Sequence, residues 1–240
     1  MIHTIKIYGY AALLVIGSLF NLKKAKKKLR SHASQEVINE IFETPKVVSQ
    51  KVFHKTGSHI TIKGKENITD EAVLYVANHQ GIFDILVLLG FLGEPVGFIA
   101  KREIQKLPII RKWMEIVHCV FIDRNDRRQS ICAIQQGTQN LKEGHSMVIF
   151  PEGTRSKGKG LSSFKPGSLR LGTKANVPIV PITIEGTYKM LEETNRIKPA
   201  NVIISIGKPI YPEAYEKMNS KQLAAHLQEK ISDELAILKS

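Results

Sequence analysis

The chain opens on an apolar run. Residues 7–20 include no charged side chain, and residues 23–30 then carry five lysines and one arginine with no acid. The run is shorter than the ~20 residues a helix needs to span hydrocarbon. Its positive charge follows the apolar stretch, and no small-residue cleavage site appears, which argues against a secretory leader. The pattern predicts a helix sunk partway into one leaflet, with lysines reaching anionic headgroups. A core helix with a solvated basic end and a tilted single span are the alternatives. Either membrane arrangement puts the basic segment on the cytoplasmic face, as a monotopic or single N-terminal anchor. Val37, Ile38, Ile41 and Phe42 then recur at helical spacing and predict a second helix over 34–54, broken or kinked near Pro45. A turn at Thr56-Gly57-Ser58 closes this two-helix membrane-binding unit, residues 1–55.

Over residues 56–240 the pattern changes to short apolar runs alternating with helical stretches. Strands are predicted at 59–62, 72–77, 96–100, 118–122, 147–150, 179–184 and 202–206. Helices are predicted at 82–91, 109–116, 127–142, 167–175 and 220–238, the last from Leu223, Leu227, Ile231, Leu235 and Leu238. Ala72-Val-Leu-Tyr-Val-Ala77 is apolar on both faces, as a central strand covered by helices requires. The expected fold class is α/β: a mostly parallel sheet of about seven strands covered by helices, with the N-terminal helical unit appended.

Composition adds one constraint. At 240 residues, 42% hydrophobic and 24% charged, the chain can bury a real core and is not disordered. The net charge of +13 calls for an anionic partner: a bilayer, a nucleic acid or a phosphorylated small molecule. No nucleic-acid motif or aromatic interleaving accompanies it. Two cysteines give neither a disulfide framework nor a metal-ligand spacing, and Cys119 in its apolar run reads as a buried thiol in a reducing compartment.

The polar clusters fall at the ends of predicted strands. His79 to Asp84 follows one, Lys101 the next, Asp123-Arg124 the next, and Glu152 to Arg155 the one after. In an open parallel sheet, ligands bind just beyond the carboxyl ends of strands, so these loops share one rim. Within Asn78-His79-Gln80-Gly81-Ile82-Phe83-Asp84, a continuous helix would set His79 and Asp84 roughly 140° apart. A sharp turn at Gly81 instead lets Asp84 reach back from the first helical turn, bind one imidazole nitrogen and leave the other to take a proton. In Phe150-Pro151-Glu152-Gly153-Thr154-Arg155, the turn presents backbone N–H groups, and Arg155 offers a planar fork for phosphate. Glu152 positions Arg155 or accepts a hydrogen bond. Arg124 and Lys101 are further phosphate contacts.

The order Asn78-His79-(four residues)-Asp84, Val120-Phe-Ile-Asp-Arg124, Phe150-Pro-Glu-Gly-Thr-Arg155 and Val177-Pro-Ile-Val-Pro-Ile182 resembles the four motif blocks of glycerolipid acyltransferases. Most closely it resembles the bacterial 1-acyl-glycerol-3-phosphate acyltransferases, over roughly residues 72–206. The resemblance implies that His79 is the general base and Asp84 its partner. It also implies that Lys101, Arg124, Glu152, Gly153, Thr154 and Arg155 hold the glycerophosphate, and that the fourth block shapes the acyl or acceptor pocket.

The reaction so implied moves an acyl group from a thioester, acyl-ACP or acyl-CoA, to the sn-2 hydroxyl of lysophosphatidic acid, giving phosphatidic acid. It needs no bound cofactor and no metal. No serine or cysteine beside His79 offers a covalent route, and N–H groups near Gly153 or Ile82 are candidates for the oxyanion. Other acceptors (glycerol 3-phosphate, dihydroxyacetone phosphate, a lyso-aminolipid) fit the same blocks. A lipase is disfavoured by the absence of a Gly-x-Ser-x-Gly turn.

Overall fold

Strands apolar on both faces have to lie where both faces are covered, and that places the middle of the sheet. The computed structural model describes residues 1–31, 34–123 and 126–240. Among them, seven strands pair into one sheet: β1 (His59–Lys63), β2 (Leu74–Ala77), β3 (Gly97–Lys101), β4 (Val120–Ile122), β5 (Met147–Ile149), β6 (Ile179–Glu185) and β7 (Asn201–Ile206). Their order is β1-β7-β6-β2-β5-β3-β4, so β2 and β5, buried throughout, sit at the centre. All neighbours are parallel except β6 and β7. Strands β2 to β6 therefore end on one edge, and β1 and β7 run the other way. Each expected strand is present, with bounds moved by one or two residues. The connection from β6, which includes α8 (Thr187–Met190), returns the chain along its neighbour, so β7 runs antiparallel to β6.

Alternation along β2 builds two cores. Tyr75 and Ala77 face one layer, Leu74 and Val76 the other. The first layer packs under α1 (Ile2–Gly17), α3 (Gln35–Lys55) and α4 (Phe83–Phe91), through Ile7, Phe53, Val87 and Leu88. Between α1 and α3 runs α2 (Leu19–Ser31), and α5 (Pro108–Ile116) packs beside them. The second layer packs under α6 (Arg127–Lys142), α7 (Arg170–Ala175) and α10 (Ser220–Lys239), through Ala133, Leu171, Leu227 and Ile231. Two single-turn helices, α8 (Thr187–Met190) and α9 (Pro212–Tyr215), lie in connections where four-residue segments show no periodicity to read.

The N-terminal unit differs in detail from the expectation. The basic run is itself helical, so α1 and α2 form a bent rod over Ile2–Ser31, long and apolar enough by length and composition to cross a membrane. The bend falls at Ser18, whose hydroxyl donates to the Val15 carbonyl (2.6 Å) and accepts from the Trp113 indole (2.8 Å). Trp113, Leu22, Ala25 and Ile41 form a small third core tying α2, α3 and α5 together. Ile2, Ile5, Tyr8, Leu13, Ile16 and Phe20 stay exposed. Helix α3 runs through Pro45 without breaking. Proline cannot supply the amide that the Ile41 carbonyl expects, but burial of Ile41, Phe42, Val52 and Phe53 on both sides keeps the helix whole. Cys119 is half-buried as a residue. Its sulfur accepts from the Phe98 amide (3.3 Å), and burial pushes the thiol up to about 12.

Candidate active site

Five residues separate the end of β2 from the start of α4, and side chains from three other segments pin them. Asn78 prolongs the sheet: its amide nitrogen donates to the Ile184 carbonyl (2.8 Å) and its oxygen accepts from the Ile184 amide (2.7 Å). The chain then leaves the sheet, and α4 begins at Phe83, so His79 lies in a turn and not on the helix. Asp84, in the first turn of α4 and fully buried, reaches back. Its Oδ2 accepts from the Gln80 amide (2.6 Å) and the Gly81 amide (2.9 Å), and lies 2.6 Å from Nδ1 of His79. Its Oδ1 accepts from the Thr187 hydroxyl. Because that carboxylate only accepts, the network assigns the proton of His79 to Nδ1 and leaves Nε2 as the basic nitrogen. The imidazole stacks on Phe150 (centroids 4.1 Å apart, planes 17° apart). Its side chain is 15% exposed, enough for an approaching group to reach it.

Gly81 is needed for a reason other than a left-handed turn. A Cβ there would sit 2.5 Å from Oε2 of Glu192, so glycine is what lets a carboxylate lie against the turn. Gln80 is equally fixed: its Nε2 donates to Glu185 (2.8 Å) and its Oε1 accepts from the Gly186 amide (2.9 Å).

The loop after β5 is stitched to this turn. Glu152, buried, accepts from the His79 amide through Oε1 (2.7 Å) and from the Ser162 amide through Oε2 (2.8 Å). Burial raises its carboxyl above the ordinary range. The Ser156 amide donates to the His79 carbonyl (2.8 Å) and the Lys157 amide to the Gln80 carbonyl (3.1 Å). Of the two roles expected for Glu152 it takes the second, since it does not touch Arg155. Arg155 instead donates through Nη1 to Oε1 of Glu192 (3.0 Å), and its side chain is 41% exposed. Gly153, at φ +73°, makes the turn, and its amide donates to the Phe150 carbonyl (3.1 Å). Thr154 is exposed between them. The Ile82 amide donates to Glu192 (2.8 Å). The amides of Gly153 and Ile82 themselves are therefore engaged within the protein.

The rim places Lys101 less favourably. Lys101 ends β3, two strands from β2, on the same edge as His79. Strand alternation sends its side chain with Ile99 into the second layer, whereas the His79 ring stacks with Phe150 in the first. It is exposed and paired with Glu103 at 2.9 Å. The structure does not bring it to the imidazole. Arg124 lies outside the described residues. Two residues absent from the sequence reading do reach the site. Glu192 holds Arg155, and Lys165 lays its ammonium over Gly153, where a Cβ would meet Nζ at 2.7 Å. A signal for Lys165 was present: residues 153–184 contain no acid but include Arg155, Lys157, Lys159, Lys165, Arg170 and Lys174.

A buried carboxylate steering an imidazole at the carboxyl edge of a parallel sheet, beside a cationic loop, defines an α/β enzyme suited to proton transfer on an anionic substrate. Known proteins place it further. The family model "Acyltransferase" matches residues 59–185. The chain is 31% identical over 237 residues to the probable 1-acyl-sn-glycerol-3-phosphate acyltransferase of Mycoplasma pneumoniae, covering 93% of this chain and 87% of that one. It is 30% identical over 166 residues to the 1-acyl-sn-glycerol-3-phosphate acyltransferase of Escherichia coli, covering 69% and 67%. Its fold matches the crystal structure of the 1-acyl-sn-glycerophosphate (LPA) acyltransferase PlsC from Thermotoga maritima with a TM-score of 0.87 and 26% identity, over 100% of this chain and 95% of that one. The chain belongs to the acyltransferase family, the one its four motif blocks resemble.

Proposed function

We propose that the protein acylates the sn-2 hydroxyl of 1-acyl-glycerol-3-phosphate from a thioester donor, producing phosphatidic acid. The observation that carries this reading is the His79–Asp84 contact of 2.6 Å beside the loop that carries Arg155. Nε2 of His79 takes the hydroxyl proton as the oxygen attacks the thioester carbonyl. The tetrahedral adduct then collapses, the carbon–sulfur bond breaks, and the imidazolium returns its proton to the leaving thiolate. Asp84 stabilises the ring while it is charged. Arg155, with Lys165 beside it, grips the phosphate and so fixes which hydroxyl faces the base, a positioning effect.

The two layers suggest how the substrates arrive. His79 faces the layer into which α1 inserts Ile7, and α1 also carries the exposed apolar side chains that would enter a leaflet. Lysophosphatidic acid would reach the base from that side without its acyl chain crossing water. The acid-free stretch 153–184 continues into α7 on the opposite layer, which favours an anionic soluble donor, acyl-ACP or acyl-CoA, on the cytoplasmic side.

The test is purified protein offered lysophosphatidic acid in anionic vesicles with each thioester separately. Phosphatidic acid is the expected product. Free fatty acid as the main product, or no phosphatidic acid with either donor, overturns the reading. Arg155→Ala should raise the KM for phosphorylated acceptors roughly tenfold or more, as loss of a charge-assisted contact implies. An equal loss with 1-acylglycerol would contradict its role.

A further inference from the structure

Glu192 follows α8 in a surface turn, yet its side chain is only 4% exposed. Its Oε1 accepts two hydrogen bonds, from the Ile82 amide (2.8 Å) and from Nη1 of Arg155 (3.0 Å). Its Oε2 is buried and has no hydrogen-bond partner among the described residues. Half-satisfied buried carboxylates are costly, and a solvent-exposed arginine needs no such partner for stability. The fold accommodates this one deliberately. Gly81 leaves the space that any side chain would fill, and Ile82, the residue that caps α4, supplies an amide at a helix end that favours negative charge.

The geometry of the pair is informative. Glu192 engages Arg155 through Nη1, whereas a guanidinium has five N–H donors in a rigid fork. The pair thus restrains the guanidinium through one nitrogen and leaves the fork's other donors, on a side chain 41% exposed, for a second anion. The same carboxylate oxygen also holds the amide that follows Gly81, three residues from His79. One side chain therefore references both the cation and the turn that carries the base.

We propose that Glu192 is a positioning residue that aims Arg155 at the acceptor's phosphate and keeps it in register with His79. It would thereby set the preference for phosphate-bearing acceptors. This rests on the acyl-transfer reading above for its substrate, but not for its geometry.

Glu192→Gln separates the roles, because the amide oxygen still accepts from Ile82 and the volume beside Gly81 is kept, while the charge facing Arg155 is lost. The expected result is a KM for lysophosphatidic acid raised roughly tenfold, as for losing one charged partner of a hydrogen bond. The KM should rise more than kcat falls, and the loss should exceed that with 1-acylglycerol. In an Arg155→Ala background the same change should add less than about twofold, since the two residues would act as a unit. Gly81→Ala, which pushes the carboxylate away, should reproduce the KM effect. Calorimetric binding of 1-hexanoyl-glycerol 3-phosphate provides a readout that needs no turnover and should weaken by the same factor. Equal losses with both acceptors, or additive effects with Arg155→Ala, would overturn the proposal. If wild-type protein binds the hexanoyl probe but forms no phosphatidic acid, the transfer reading fails while the binding arm still judges Glu192. If phosphatidic acid forms and Glu192→Gln leaves the KM unchanged, the positioning role fails alone.

Discussion

At the carboxyl edge of the sheet, an imidazole and a carboxylate meet at 2.6 Å, and every oxygen of that carboxylate has a donor. At the amino edge, His118 and His145 stack on each other with centroids 3.6 Å apart, and burial lowers both, His118 to about 4. That edge also has a cavity of 810 Å³, lined by both histidines, Glu94 and Ser146. Burial pushes the Glu94 carboxyl up to about 7, and Tyr75 donates its hydroxyl to it. The larger cavity thus lies at the end with no catalytic wiring. An imidazole held neutral by desolvation, which the charge of Glu143 opposes without overcoming, is a poor acceptor of protons near neutrality. The difference between the edges is connectivity: what makes a base is the carboxylate behind it and the cation loop beside it.

The hardest test of that contrast removes one histidine from each edge. His79→Ala should lower kcat by ~100- to 10,000-fold, the range for a positioned base, without loss of fold or membrane attachment. His118→Ala should leave kcat within about twofold, because nothing at that edge touches the reacting groups. Comparable losses from the two would erase the distinction between the edges.

A subtler change sharpens it. Oδ2 of Asp84 accepts from two backbone amides as well as facing Nδ1. In Asp84→Asn, the amide oxygen has to occupy that position, because an NH₂ group there would oppose two N–H donors. The NH₂ group then turns to the Thr187 hydroxyl, which can accept. The imidazole keeps its tautomer and loses only the charge behind it. The expected fall in kcat is roughly 10- to 100-fold, the difference between a charged and a neutral hydrogen bond in a dry site. A loss as large as that of His79→Ala would mean that the tautomer had flipped and that the backbone amides do not hold the oxygen in place.

Much of this edge was legible from the sequence because local chemistry sets it. The seven apolar runs had to be strands between covering layers, and His79 and Asp84 could meet only if a turn separated them. The face of Lys101 was not legible, because residues 96–100 are apolar on both faces and alternation alone does not say which layer Lys101 joins. What the pattern could not show was anything that depends on distant segments. Glu192 is 37 residues from Arg155, in a turn with no motif of its own. The reversed sense of β7 leaves no mark on its apolar positions, because a strand reads alike in either direction. The apolar first helix was legible, but the helix through the lysine run was not, because like charges argue against the helical pairing that the packing of Leu22 and Ala25 overrides.

The smallest expected effect concerns stability at the other edge. Glu94 has its folded pKa raised from 4.5 to about 7, so its contribution is fully present below pH 4.5 and is lost as the pH rises through 7. His118 has its folded pKa lowered from 6.5 to about 4, so its contribution is present above pH 6.5 and is lost as the pH falls through 4. Between those limits the two slopes oppose each other, so each masks the other in the wild-type protein. Glu94→Gln removes one slope while its amide oxygen still accepts from Tyr75. The variant should therefore lose stability on acidification from pH 6.5 to 4, by about 2 kcal/mol once partial exposure of the imidazole is allowed for. Its kcat at neutral pH should stay within about twofold of wild type. Urea melts at four pH values measure the slope, and a level profile in Glu94→Gln would show that the histidine pair is not held neutral by burial. A fall in kcat beyond that range would tie the amino edge to the chemistry after all.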